Sequence, residues 1–171
     1  MERKKIIWII LAAAILFAGI FLFAKKEGNF SFAGSKSEFI STEYKVALKY
    51  PSEWETISLE EKLRYEGENG FFEVTGAGGE LTLTDIISSE LDHVRMPYGS
   101  KPEVESIKID GQTGVLLMPS KDADPLMKDQ AVLILPYPGP VLVNGETYEY
   151  LVLWVDKDYI KEIAKTIEFL E

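Results

Sequence analysis

Apolar positions fall into two regimes along this chain, one without any period and one with clear periods of two and of three to four. From Ile6 to Ala24 the residues IIWIILAAAILFAGIFLFA carry no charge and would be apolar on every face of a helix. Nineteen residues at 1.5 Å each span roughly 28 Å, close to the hydrocarbon thickness of a bilayer. Beyond Ser37 the pattern becomes that of a globular domain. Tyr44–Tyr50 alternates and stops at Pro51, and Gly70–Thr75 is a second strand closed by Gly76-Ala-Gly-Gly79. Thr82–Val94 has helical spacing, with Leu83, Ile86, Ile87, Glu90, Leu91 and Val94 on one face and Thr82 with Asp85 as a capping pair.

Two further hairpins are marked by their turns. Glu103–Asp110 and Gln112–Met118 meet at Asp110-Gly111, and Val141–Val143 and Glu146–Val155 meet at Asn144-Gly145. Ala131–Leu135 is another strand, followed by a turn at Tyr137-Pro-Gly-Pro140. A last helix is expected from Lys157 to Ile167, capped by Asp156, with Ile160, Ile163, Ala164 and Ile167 inward. Hairpin-linked strands without a βαβ series predict an α+β domain. Its central sheet is mainly antiparallel with helices packed on its faces, and one transmembrane helix precedes it.

The N-terminal run is read as an uncleaved signal anchor. A cleaved signal peptide has a shorter apolar core, about 7–15 residues, and a small-x-small site, whereas Leu22 stands where a small residue is needed. A lipoprotein signal requires cysteine, and the chain has none. Residues 1–5 form a cytoplasmic tail and 6–24 the membrane anchor, bounded by Ile6 and Ala24, with Trp8 at the cytoplasmic interface. Arg3, Lys4 and Lys5 precede the span and Lys25 and Lys26 follow it, so charge alone separates the two sides narrowly. The short leading tail and the folded bulk behind it favour a cytoplasmic N-terminus and an extracytoplasmic C-terminal domain. Residues 25–37, KKEGNFSFAGSKS, read as a flexible linker, and 38–171 as one domain.

Net charge is −10, and the N-terminal lysines and arginine make the remainder more acidic still. Such a domain is expected to be repelled from an anionic leaflet within a Debye length, roughly 8–10 Å. It has no basic footprint for nucleic acid. The absence of cysteine excludes disulfides and thiolate chemistry.

Several pieces together resemble the PsbP/Mog1-type domain. They are the strand running into a Tyr-Pro-x-x-Trp corner (YKVALKYPSEWE, 44–55), the paired aromatics of GFFEV, the following helix, the hairpin IKIDGQTGVLL, and a long strand leading to a terminal helix ending TIEFL. The resemblance covers roughly 44–171. It implies a central antiparallel sheet with helices on both faces and a binding or scaffolding role, and it carries over no functional residue. From the residues themselves, Pro51 ends its strand and Trp54 is expected to plug the sheet edge.

Candidate chemistry is sparse. His93 is the single histidine, within the first helix beside Asp92, where a surface position is expected. Gly76–Gly79 lies where a phosphate cradle would sit but lacks the Lys-Ser/Thr of a P-loop, and Glu80 opposes an anion. Asp122, Asp124 and Asp129 share the irregular PSKDADPLMKD loop and are weak candidates for Ca²⁺, although Pro125 and Leu126 break the calcium-loop pattern. Tyr137 and Pro138, near Tyr148 and Tyr150, form an aromatic-proline corner of the kind that binds partners.

No catalytic residue and no cofactor is expected. The sequence points to a single-pass membrane protein whose extracytoplasmic domain is a non-catalytic binding or accessory module for a protein partner at the cell envelope. An envelope hydrolase using carboxylates or a Ca²⁺ loop, and a sensing module for a small ligand, are the alternatives.

Overall fold

The computed structural model describes residues 34–59, 62–127 and 129–171. The anchor expectation, with Ile6, Trp8 and Ala24, and most of the linker lie outside these residues. Among the described residues no helix is long and apolar enough to cross a membrane.

In chain order the elements are β1 (Lys36–Ser41), β2 (Val46–Pro51), β3 (Glu55–Leu59), β4 (Lys62–Gly67), β5 (Gly70–Gly78) and helix α1 (Leu83–Leu91). There follow β6 (Glu103–Ile109), β7 (Gln112–Met118), β8 (Gln130–Val143), β9 (Glu146–Asp156), helix α2 (Ile160–Ala164) and β10 (Glu168–Phe169). Seven strands form one antiparallel sheet in the order β3-β4-β5-β9-β8-β7-β6, and β1-β2-β10 form a second, smaller sheet.

The two hairpin turns hold as the sequence pattern requires. Asp110 and Gly111 have φ of 45° and 81°, Asn144 and Gly145 have 51° and 89°, and both pairs close two-residue loops. Alternation along β8 and β9 then sends side chains to both faces of the large sheet. Leu133, Leu135, Leu151 and Leu153 turn to one core, and Val132, Ile134 and Val152 to the other. Both central strands are therefore apolar on both sides.

The covers of these two faces correct the expected architecture. Helices are sparse. One face is covered mainly by the small sheet, through Phe39, Val46, Leu48 and Tyr50, together with the five-residue α2 through Ile160, Ile163 and Ala164. The other is covered by α1, which buries Ile86, and by Tyr98 from the segment after it. β1 takes Lys36 and Ser37 out of the expected linker, pairing Lys36 with Pro51. The terminal helix stops at Ala164 and the chain returns to strand at Glu168–Phe169, whose partners are Ala47 and Val46. Asp156 caps no helix; its Oδ1 accepts from the Asp158 N–H at 2.9 Å in the turn before α2.

α1 begins at its expected cap. The Thr82 side chain accepts from the Asp85 N–H, and the Asp85 carboxylate accepts from the Thr82 N–H at 2.8 Å. It ends three residues early, so Val94 is not on the buried stripe but 95% exposed.

Trp54 is the plug the corner implied. The chain turns through the Trp54 N–H bond to the Pro51 carbonyl (3.1 Å), and the indole packs edge-on to Tyr159 at 5.0 Å. A Cβ on Gly67 would come within 2.5 Å of Trp54 Cδ1, so that glycine leaves room for the ring. Phe72 lies at the centre of the aromatic cluster, stacked on Tyr65 at 4.8 Å and contacting Phe39 and Tyr50.

Candidate functional site

The expected turn at Tyr137–Pro140 is instead a bend inside one continuous strand. Pro136 faces Tyr150 and Val141 faces Tyr148, so β8 spends four residues, Tyr137–Pro140, where β9 spends only Glu149. β7 pairs with β8 only across Val132–Ile134, leaving this bent portion without a strand on that side. Alternate residues of a strand direct their backbone groups to the same side, and the Ile134 carbonyl lies against Gly114 of β7. Pro136, Pro138 and Pro140 share the parity of Ile134 and contribute no N–H. The three prolines leave this bend poor in backbone donors, which disfavours a further strand pairing there.

Beside this edge lies an apolar groove of about 340 Å³ between the bend and the C-terminal strand, lined by Lys45, Tyr137, Pro138, Pro140, Phe169 and Leu170. Tyr137 and Phe169 meet edge-to-face at 5.4 Å. Lys45 Nζ donates to the Glu171 carbonyl at 2.7 Å, and the Leu170 N–H donates to the Lys45 carbonyl at 2.9 Å. Phe169 is held at this edge because its N–H donates to Asp110 Oδ2 at 2.8 Å.

The Tyr137 hydroxyl is buried and has no hydrogen-bond partner among the described residues, and the same holds for Glu149 Oε2 on the strand opposite the bend. Burial, reinforced by the nearby Tyr44 and Tyr148, pushes the Tyr137 hydroxyl well above its ordinary range, so it stays a neutral O–H donor.

Of the four partner-binding residues expected from sequence, Tyr137 and Pro138 line this groove. Tyr148 packs on the same core; a Cβ on Gly76 would fall on its ring, and its hydroxyl donates to Glu146 Oε2 at 3.0 Å. Tyr150, two residues on, packs on the opposite face because β9 takes an extra residue, Glu149, against Ala77 and Gly78 of β5. Lys45, Phe169 and Leu170 were not singled out in the sequence. They come from a distant turn and from a segment whose pattern reads as helix end.

The three loop carboxylates do not converge. Asp122 Oδ2 accepts from the Ser100 hydroxyl at 2.6 Å, and Asp122 Oδ1 from the Ser120 hydroxyl at 2.5 Å. These bonds, with Ser100 foremost, lower its pKa to about 2. Asp124 Oδ1 accepts from the Leu126 N–H in a local turn, and Asp129 pairs with Lys157 Nζ at 2.8 Å. Among the described residues no three His, Cys, Asp or Glu side chains are grouped to hold a metal. His93 is exposed beyond α1, its Nδ1 accepting from the Arg95 N–H at 3.2 Å. Gly76–Gly78 belong to β5 rather than to a loop.

Glu90, the one polar residue on the apolar stripe of α1, is explained by what lies beneath it. Its Oε2 accepts from the Tyr98 hydroxyl at 2.6 Å and from Trp154 Nε1 at 3.3 Å, while Gln130 Nε2 donates to the Tyr98 oxygen at 3.3 Å. Tyr98 is 1% exposed, and burial with the neighbouring Glu90 carboxylate drives its pKa upward. The cluster ties α1 to β8 and β9 and is fully engaged with itself.

No protein-family model matches the chain, and no curated protein does. Among solved structures it is similar to the solution structure of cyanobacterial PsbP (CyanoP) from Synechocystis sp. PCC 6803. Identity is 14%, the match covers 84% of this chain and 97% of that one, and the TM-score is 0.45. That neighbour is of the type the corner and hairpins resemble. The likeness concerns the course of the backbone and assigns no ligand, partner or activity.

Proposed function

We propose that this chain is a single-pass membrane protein whose extracytoplasmic domain is a non-catalytic binding module. Its groove between the bent β8 and β10 takes a short apolar segment of a partner protein at the cell envelope. The observation that carries this reading is the groove itself. It offers an apolar lining of prolines and of the aromatic rings of Tyr137 and Phe169. Rigid proline and aromatic walls lose little conformational freedom on binding. The proline-rich bend directs recognition away from strand addition and towards side chains seated in the groove.

Photo-crosslinking in intact cells tests it, with benzoylphenylalanine placed at Lys45 or Leu142 beside the groove and at Ser89 on the outer face of α1. The expected result is one captured protein from the first two positions, absent from Ser89 and reduced by Phe169→Ala. Equal capture from all three positions would contradict the assignment. So would turnover of envelope glycans or peptides by the purified protein that an Asp or Glu substitution abolishes.

A further inference from the structure

The end of the domain opposite the groove has a different surface. There the segment after α1 and the 119–129 loop are bound to each other. The Ser120 N–H donates to the Tyr98 carbonyl at 2.9 Å, the Asp124 N–H to the Met96 carbonyl at 3.4 Å, and Asp122 ties Ser100 to Ser120. Three aliphatic side chains project from this pinned pair of loops, Val94 at 95% exposure, Leu126 at 86% and Met96 at 47%. Arg95, Lys101 and Lys121 are exposed on the same loops, in a chain of net charge −10. Asp92, Asp122, Asp124 and Asp129 are there as well, so with Lys128 the stretches 92–101 and 119–129 carry four cations and four carboxylates and are neutral together, Asp122 being occupied by the two serines.

This is also the end at which the chain enters the domain. The Ser52 N–H donates to the Ser35 carbonyl at 3.1 Å, beside Pro51 and the Trp54 corner. Trp54 packs on Tyr159, three residues beyond Asp156, the partner of Gln130 at the close of the 119–129 loop. Nine residues separate Ala24, the last of the apolar run, from Gly34, a reach of about 30 Å at full extension.

We propose that this end is a lipid-contacting tip. Val94, Met96 and Leu126 enter the headgroup region of the bilayer while Arg95, Lys101 and Lys121 meet lipid phosphates. The proposal rests on the membrane-anchored reading. Exposed aliphatics on two pinned, electrically neutral loops suit an interface that is apolar below and polar at its surface. In a chain of net charge −10, these neutral loops are the part least repelled by an anionic leaflet.

The absence of cysteine makes the test direct. Leu126→Cys, Val94→Cys and, at the groove end, Leu142→Cys are each labelled with an environment-sensitive fluorophore in the full chain. The protein is then reconstituted into vesicles of phosphatidylethanolamine and phosphatidylglycerol containing nitroxide-labelled lipid. All three positions are exposed, so the substitutions leave the core intact. The expected result is flotation with the vesicles and quenching several-fold stronger at 94 and 126 than at 142. Flotation with equal, weak quenching at all three positions overturns the tip while leaving the anchor standing. Failure to float overturns the anchored reading and the tip with it. Photo-capture of a protein from position 126 in cells, with no lipid quenching, assigns the patch to a protein partner instead and equally refutes the proposal.

Discussion

Replacing Glu90 by leucine tests whether a charged residue on an apolar helix stripe is there for its buried partners. A carboxylate in the last turn of α1 faces the negative end of the helix dipole, so removing it should gain about 0.3–1 kcal/mol. The side chain nevertheless accepts from Tyr98, which is 1% exposed, and from Trp154. With leucine the Tyr98 proton has no acceptor, because Gln130 only donates to that oxygen. An unsatisfied buried donor costs about 1–3 kcal/mol, leaving a net loss of about 1–2 kcal/mol. Urea denaturation of the detergent-solubilised full chain, followed by tryptophan fluorescence, should show a midpoint lower by roughly half to one molar at unchanged slope. Tyr98→Phe should cost less by itself, and in the double variant the two losses should fall short of their sum by about 1 kcal/mol or more. An unshifted midpoint for Glu90→Leu, or strictly additive losses, would refute the reasoning.

Asp122 has its pKa lowered to about 2 by Ser100 and Ser120, against an ordinary 3.8, so its stabilisation is present above about pH 4 and disappears as pH falls through 2. Asp122→Asn should therefore be less stable than the parent at pH 7, with the gap between denaturation midpoints closing at the acid end. Gly76→Ala should cost about 1–3 kcal/mol, since the new methyl falls on the root of the Tyr148 ring, which cannot swing away; a thermal melt reads this as a fall of several degrees. Thr82→Ala removes one half of the capping box and should cost about 1 kcal/mol, with faster amide exchange confined to the first turn of α1.

How much of this was legible in the chain depended on whether the signal was local. Both I′ hairpins, the α1 cap and the inward face Ile160, Ile163, Ala164 and Ile167 rest on residues adjacent or one turn apart, and they hold. β1, β3 and β4 carry mixed polar sequences and gain their strand character from neighbours supplied by distant parts of the chain, so propensity did not expose them. Val94 keeps helical phase with Leu91, yet the helix stops before it and Met96 follows with a φ of 46°. At the groove, Tyr137 and Pro138 could be picked out as an aromatic-proline cluster, but Tyr150 could not be excluded. The extra residue that β9 takes against β5 at Glu149, which puts Tyr148 and Tyr150 on opposite faces, is a property of pairing and leaves no mark in composition.

The proposed roles of the groove and of the aliphatic tip both rest on the proposal that the domain is held to a membrane by its N-terminus. Fractionation of intact cells, with N-terminal sequencing of the recovered protein, tests that tether most directly. The account predicts a full-length chain in the membrane pellet, resistant to alkaline carbonate and released only by detergent. Mature protein free in the culture medium and beginning at or after Lys25 would contradict it.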